Sequence, residues 1–334
     1  MNLDTLRRKR IKRLGIRSAA GYTGQRRIFF VLDRATRKFH GDINLWVQYI
    51  EYARQQKAYK KLSLIFADVL RKHPANADLW IYAAKYVMDD HADMMLARSY
   101  MQRGLRFCES SRKLWISYAK LELIYVAKLV GRQRILGLDH VDESTRGEPE
   151  SSSMDPDADE IKLPQVTGED VQPDEAPDTE TDLSTIRNLD SSPALSGAVP
   201  LAIYDSAMKK FDNDDRLSRD FYDMVLEFDD IPCLRKVLGH IVDVMLSARP
   251  ASSNTLICYI RFPTAGISLT SSEFPRALAA SLARLKEHQS DRGVAKETIN
   301  WLQPLAATDS LDPAVQKVIR ATIHKSERVL LAQL

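Results

Sequence analysis

Few side chains in this sequence have the type and spacing that chemistry needs. Its seven histidines, His40, His73, His91, His140, His240, His288 and His324, are scattered. None falls in an HExxH pair, which would put two imidazoles on one helical face for zinc. No GxSxG elbow and no glycine-rich phosphate loop appears, and Gly24-Gln-Arg-Arg lacks the P-loop spacing. Asp89-Asp90-His91 is the densest set of metal-ligand types. It falls at a helix end, where polar residues are expected, and lacks the ligand spacing of known sites. Cys108, Cys233 and Cys258 are an odd, scattered set without a CxxC, which fits packed thiols in a reducing compartment. Neither a catalytic residue nor a metal or cofactor ligand can be named. The expectation is a protein that is not an enzyme and takes no cofactor or small-molecule substrate.

The remaining chemistry is electrostatic. Arg7, Arg8, Lys9, Arg10, Lys12 and Arg13 form a basic run that could contact phosphates or serve as a nuclear import signal. The same run is compatible with the solvated face of an amphipathic helix over residues 2–14, with Leu3, Leu6, Ile11 and Leu14 turned inward. Arg26 and Arg27 continue the positive character, followed by Arg34, Arg37 and Lys38. The basic run has no interleaved aromatics, which argues against single-strand stacking there. Charge is unevenly distributed: residues 1–38 hold 12 Lys/Arg against 2 Asp/Glu, and residues 139–198 hold 17 acids against 3 bases. The carboxylates of 139–198 have no regular element to fix them as an acid–base pair. The most apolar stretch, Leu114 to Val130, is broken by Lys120, Glu122 and Lys128, so no membrane partner is expected.

What must position these groups is a repeat. Trp46, Trp80 and Trp115 close the phrases Asp42-Ile-Asn-Leu-Trp46, Asn76-Ala-Asp-Leu-Trp80 and Ser111-Arg-Lys-Leu-Trp115. The interval of about 34 residues is that of helix-pair solenoids. Counting 3, 4 and 7 onward gives Tyr49, Ile50, Ala53; Ala83, Ala84, Val87; and Tyr118, Ala119, Glu122, each set on one helical face. Asp42, Asn76 and Ser111, four residues before each Trp, are N-cap types. A second stripe starts 18 residues before each Trp: Ile28, Val31, Leu32, Ala35; Leu62, Ile65, Phe66, Val69; Ala97, Tyr100, Met101, Gly104. Such helix pairs bury their faces only by stacking on one another. The expected fold is therefore all-α, a superhelical solenoid of helix pairs, with Trp46, Tyr49, Trp80, Trp115 and Tyr118 as repeat-core positions.

Four segments follow: residues 1–23 as a basic helix and connection, 24–138 as the repeat block, 139–199 as an acidic disordered insertion, and 200–334 as degenerate helical repeats. Residues 139–199 carry too little apolar surface to offset ordering entropy. Beyond them helices are expected from Leu201, over Leu217 to Phe228, over Cys233 to Ser247, and over Glu273 to Gln289, Ala295 to Leu302 and Pro313 to Leu334. Thr255 to Phe262 is helix or strand by pattern, with context favouring helix.

The Leu-Trp-x-x-Tyr phrase, present at Leu45 to Tyr49 and Leu114 to Tyr118, resembles the signature of half-a-TPR (HAT) repeats of RNA-processing factors. Of the HAT-consensus Glu seven residues after the Trp, only Glu122 remains; Ala53 and Val87 stand at the other two positions. The stretches Gly24–Phe39 and Ala97–Cys108 resemble the U3 snoRNA-associated HAT-repeat family of the small-subunit processome. That resemblance implies a nuclear, nucleolar scaffold in pre-18S rRNA processing. Its implied partners are the WD40-propeller proteins of the UTP-B subcomplex, with U3 snoRNA and pre-rRNA contacted indirectly. It also implies a further helical region upstream, so the sequence reads as N-terminally truncated. Direct RNA binding through the basic face, and a HAT scaffold of splicing or mRNA 3′-end processing, are the alternatives.

Overall fold

The computed structural model describes residues 5–6, 9–10, 13, 20–135, 195–228, 231–288, 291–308 and 311–332. Among them there is no strand, and the protein is an all-α helical-repeat solenoid. The helices are α1 (Ala20–Lys38), α2 (Ile43–Gln55), α3 (Tyr59–Lys72), α4 (Ala77–Tyr86), α5 (Met94–Phe107) and α6 (Arg112–Ile135). After the acidic stretch come α7 (Ala198–Lys210), α8 (Asp215–Val225), α9 (Leu234–Ala248), α10 (Ser253–Arg261), α11 (Phe274–Glu287), α12 (Arg292–Ala306) and α13 (Pro313–Ala332). Two compact units, Met1–Tyr118 and Ala119–Leu334, divide the chain, and the division falls inside α6. Residues 139–194, which hold most of the expected acidic insertion, lie outside the described residues.

In the first unit each helix packs on the next along the chain, from α1 through α5. Helix starts are capped as the residue types dictate. The Asp42 carboxylate accepts from the backbone N–H groups of Asn44 and Leu45, and the Asn76 side chain accepts from that of Asp78. The core is the apolar face following each Trp: Tyr49, Ile50 and Ala53 on α2, then Ala83 and Ala84 on α4 with Val87 just beyond, all buried. All four members of the α3 stripe, Leu62, Ile65, Phe66 and Val69, are buried as well, and Phe66 packs against the rings of both Tyr82 and Tyr86. Four stripe positions differ from the expectation. Val31 on α1 is 61% exposed, and Ile28 and Ala35 on α1 and Tyr100 on α5 are half-buried. Periodicity identifies a face that can be covered; the neighbouring helices decide how much of it is.

Between α4 and α5 the helix widens into a single π turn, Val87–His91, and stops at Ala92 in the left-handed region (φ 54°). Asp93 then caps α5 by accepting from the Leu96 N–H. Gly104 on α5 lets that helix approach α4: a Cβ there would stand 2.9 Å from Trp80 Cγ.

The second unit is built in the same way without the Trp marker. α8 packs on α9 and α10, α10 on α11 and α12, and α12 on α13. Its core runs through Tyr204, Phe221, Tyr222, Leu238, Ile241, Cys258 and Ile260 to a cluster of Phe274, Leu278, Leu302, Leu311 and Ile319. Thr255 to Phe262, ambiguous by pattern, is helix in α10 and ends in a 3-10 turn at Phe262–Thr264 that contains Pro263. α12 starts earlier than its apolar stripe because Asp291 caps it, accepting from the Gly293 N–H. Asp214, Ser252 and Asp291 all cap helices of this unit. Four residues past each cap, where the first unit has Trp, stand Ser218, Leu256 and Ala295.

Candidate functional site

Each indole of the first unit donates to the carbonyl six residues upstream. Trp46 Nε1 reaches His40 O at 2.9 Å, Trp80 Nε1 reaches Pro74 O at 2.9 Å, and Trp115 Nε1 reaches Glu109 O at 3.0 Å. The bond ties each helix start to the turn before it. The first two of these carbonyls also receive the next copy: His73 Nε2 lies 2.6 Å from His40 O, and Cys108 Sγ donates to Pro74 O at 3.3 Å. His73 and Cys108 each stand seven residues before the Trp of their own copy. The residue one step earlier covers the preceding indole. The Lys72 ammonium sits 4.9 Å from the Trp46 ring centroid, and Phe107 stacks on Trp80 at 5.9 Å. Trp46 and Trp80 are buried. No later copy within the first unit offers such a residue to Trp115, and it is only half-buried. Tyr49 and Tyr118 are buried. Glu122, the HAT-consensus position, is buried too, at 2% exposure.

The register continues in the second unit. Arg249, seven residues before the Trp-equivalent Leu256, donates to the carbonyl of Asp212, six before the Trp-equivalent Ser218, at 3.3 Å. Further polar links there also span about one repeat. The Asp215 carboxylate accepts from Ser252 at 2.5 Å and from Asn254 at 2.9 Å; Arg261 reaches Asp223 at 2.7 Å, and His240 reaches Asp205 at 2.7 Å. Arg219 on α8 bridges to Asn254 on α10 at 3.0 Å and to Glu297 on α12 at 2.5 Å. The Arg219 hydrogen bond holds the Glu297 carboxyl below its usual range. Three alternate helices are thus joined by one guanidinium. Sequence reasoning missed this ladder, although the caps Asp214, Ser252 and Asp291 carry its register.

The charged groups singled out in the sequence fall into two classes. Some are committed to structure: Asp90 takes a two-point contact from Arg54 at 2.9 and 3.1 Å, and His91 Nε2 lies 3.0 Å from the Tyr86 hydroxyl. Asp89-Asp90-His91 therefore forms part of the π turn and its link to α2. Others face solvent: Lys9, Arg10 and Arg13, then Arg26 and Arg27 on α1, are exposed. Arg7, Arg8 and Lys12 lie outside the described residues. Burial raises the thiols of Cys108 and Cys233, and pushes that of Cys258 up to about 12, which makes them packing groups rather than nucleophiles. No described helix is long and apolar enough to cross a membrane. The arrangement holds the helices of each unit in register.

Comparison with known proteins places the chain beside one set of relatives. No family model matches it. U3 small nucleolar RNA-associated protein 6 of the fission yeast Schizosaccharomyces pombe is 38% identical over 175 residues, covering 51% of this chain and 36% of that protein. The mouse protein named as its homologue is 34% identical over 129 residues, covering 39% of this chain and 22% of its own length. The human one is 34% identical over 103 residues, covering 31% and 17%. The matches thus span about a third or less of these relatives' length. Over part of its length, the chain is homologous to proteins named U3 small nucleolar RNA-associated protein 6 and its homologues, from fission yeast to mammals.

Proposed function

We propose that the chain is a non-catalytic scaffold of nucleolar ribosome biogenesis, a stack of helical repeats that holds protein partners in the small-subunit processome during pre-18S rRNA processing. The observation that carries this is the copy-to-copy bonding of a helical repeat within each unit, in a chain whose relatives are named for association with U3 small nucleolar RNA. Repeat stacks of this kind offer extended surfaces for peptides and domains. The partners are the WD40-propeller proteins of the UTP-B subcomplex, and U3 snoRNA and pre-rRNA are reached through them. The protein then resides in the nucleus, concentrated in the nucleolus.

A second reading, direct RNA binding, is favoured by the exposed cations Lys9, Arg10, Arg13, Arg26 and Arg27. One experiment separates the two. The tagged chain is purified from cells with and without nuclease, and the purified chain is titrated with RNA at rising salt. Propeller proteins retained after nuclease, with no RNA binding at moderate salt, support the scaffold. Loss of those proteins on nuclease treatment, with RNA affinity that falls steeply with salt, supports direct contact.

A further inference from the structure

The second copy of the repeat in the first unit is one residue longer than the first copy. Trp46 and Trp80 are 34 residues apart, whereas Trp80 and Trp115 are 35 apart. The Trp-bearing helices of both copies run out at a left-handed residue, Lys57 (φ 53°) after α2 and Ala92 (φ 54°) after α4. The next helix starts two residues on in each case, at Tyr59 and at Met94. Lys57 stands 11 residues after its Trp and Ala92 stands 12 after its own, so the added residue lies between Trp80 and Ala92. α2 covers that span without a π turn; in the second copy the span ends in the π turn Val87–His91. A helix whose two ends are both fixed takes up one extra residue by widening a single turn in this way.

The widened turn changes which side chains meet. On an α-helix, residues five apart point about 140° away from each other. In the π turn they come together, and His91 Nε2 lies 3.0 Å from the hydroxyl of Tyr86, five residues before it. The same turn reaches the preceding copy. The rings of His91 and Tyr59, the first residue of α3, meet edge to face with centroids 5.0 Å apart. Asp90 accepts two hydrogen bonds from Arg54 near the end of α2, at 2.9 and 3.1 Å, and the Arg54 guanidinium lies 5.8 Å from the Tyr86 ring centroid. The Trp–carbonyl links join the two copies where α2 and α4 begin; these contacts join them where the same helices end. We infer that the residue inserted in the second copy builds a clasp: it turns Asp90 and His91 back onto Arg54 and Tyr59 and so locks the first two copies together at this second edge. The clasp belongs to the stack itself, whichever partners the stack carries.

Hydrogen exchange of the full chain, read by mass spectrometry of its peptides, is the test. Deleting Asp89 returns the second copy to the length of the first and lets α4 run on as regular helix. The peptide from Val87 to Asp93 should then lose no protection. The peptide from Ala53 to Leu62, in the first copy, should exchange about fivefold faster, because Arg54 and Tyr59 are left without their contacts. A loss in the copy that was not cut, without one in the copy that was, is the signature of a clasp. Unchanged exchange from Ala53 to Leu62 would overturn it and reduce the π turn to a tolerated insertion. Arg54→Gln leaves the chain length alone. It should speed exchange about fivefold in both peptides, with unchanged far-UV circular dichroism, and it alone decides if the deletion misfolds. No change in either peptide of Arg54→Gln would likewise overturn the clasp.

Discussion

Phe107 lies parallel to Trp80, with ring centroids 5.9 Å apart and planes 11° from parallel. Phe107 stands eight residues before Trp115, so the pair joins one copy of the repeat to the next. Its counterpart one copy earlier is Lys72 over Trp46. The offset is what matters: an aromatic or a cation can fill the role, because either is attracted to the face of an indole.

Trp80→Ala should cost about 3–5 kcal/mol, since it removes a buried indole, its stack and its bond to Pro74 O. Phe107→Ala should cost about 0.5–1.5 kcal/mol, the worth of the aromatic pair, because Phe107 itself is 61% exposed. Urea unfolding followed by far-UV circular dichroism measures both. Equal losses would show that burying the indole stabilises the stack of helices no more than its contact with Phe107 does.

Gly104→Ala sets two effects against each other. Alanine favours an α-helix over glycine by about 1 kcal/mol. The new Cβ, however, would meet Trp80 Cγ at 2.9 Å and Trp80 Cβ at 3.0 Å, and neither atom is the free end of a flexible side chain. Overpacking of that kind costs about 1–3 kcal/mol. The variant should therefore be less stable than the parent, with a lower urea midpoint; a raised midpoint would mean that α5 moves off α4 without loss.

The Arg219–Glu297 bridge gives the second unit an acid-sensitive component. Glu297 ionises below its unfolded value, so its contribution is present above about pH 4.5 and is lost as pH falls through the folded value. Glu297→Gln should lower stability at pH 7 by about 1–2 kcal/mol. The gap from the parent should close as pH falls below about 4.5. Urea midpoints from pH 7 to 3 for both chains check this, and a gap constant across that range would exclude the ionised pair as its source.

Thiol accessibility tests the packing of both units. Cys258 is fully buried and its thiol is pushed up to about 12, while Cys108 and Cys233 are buried and raised to a lesser degree. At pH 8 a disulfide reagent should titrate none of the three quickly in the native chain and all three in denaturant. Rapid native reaction of Cys258 would mean that α10 is not packed as described.

The first unit was legible because its marker is large and its spacing regular. Asp42, Asn76 and Ser111 announced helix starts, and Trp46, Trp80 and Trp115 announced the period. The second unit hid its period because Ser218, Leu256 and Ala295 occupy the Trp place and have no distinctive chemistry. The start signals survived in Asp214, Ser252 and Asp291, and so did the link from Arg249 to the Asp212 carbonyl. A search for caps at intervals of 34 to 39 residues, in place of a search for tryptophans, would have found them. The exposure of Val31 depends on neighbouring helices, which residue spacing does not encode.

The most direct measurement is the RNA recovered with the tagged protein from cells, sequenced after mild cross-linking. A scaffold of the small-subunit processome brings down U3 snoRNA and pre-18S precursors above all other species. Recovery dominated by spliceosomal RNA or polyadenylated messages, with U3 at background, would contradict the assignment and move the same helical stack to a different particle.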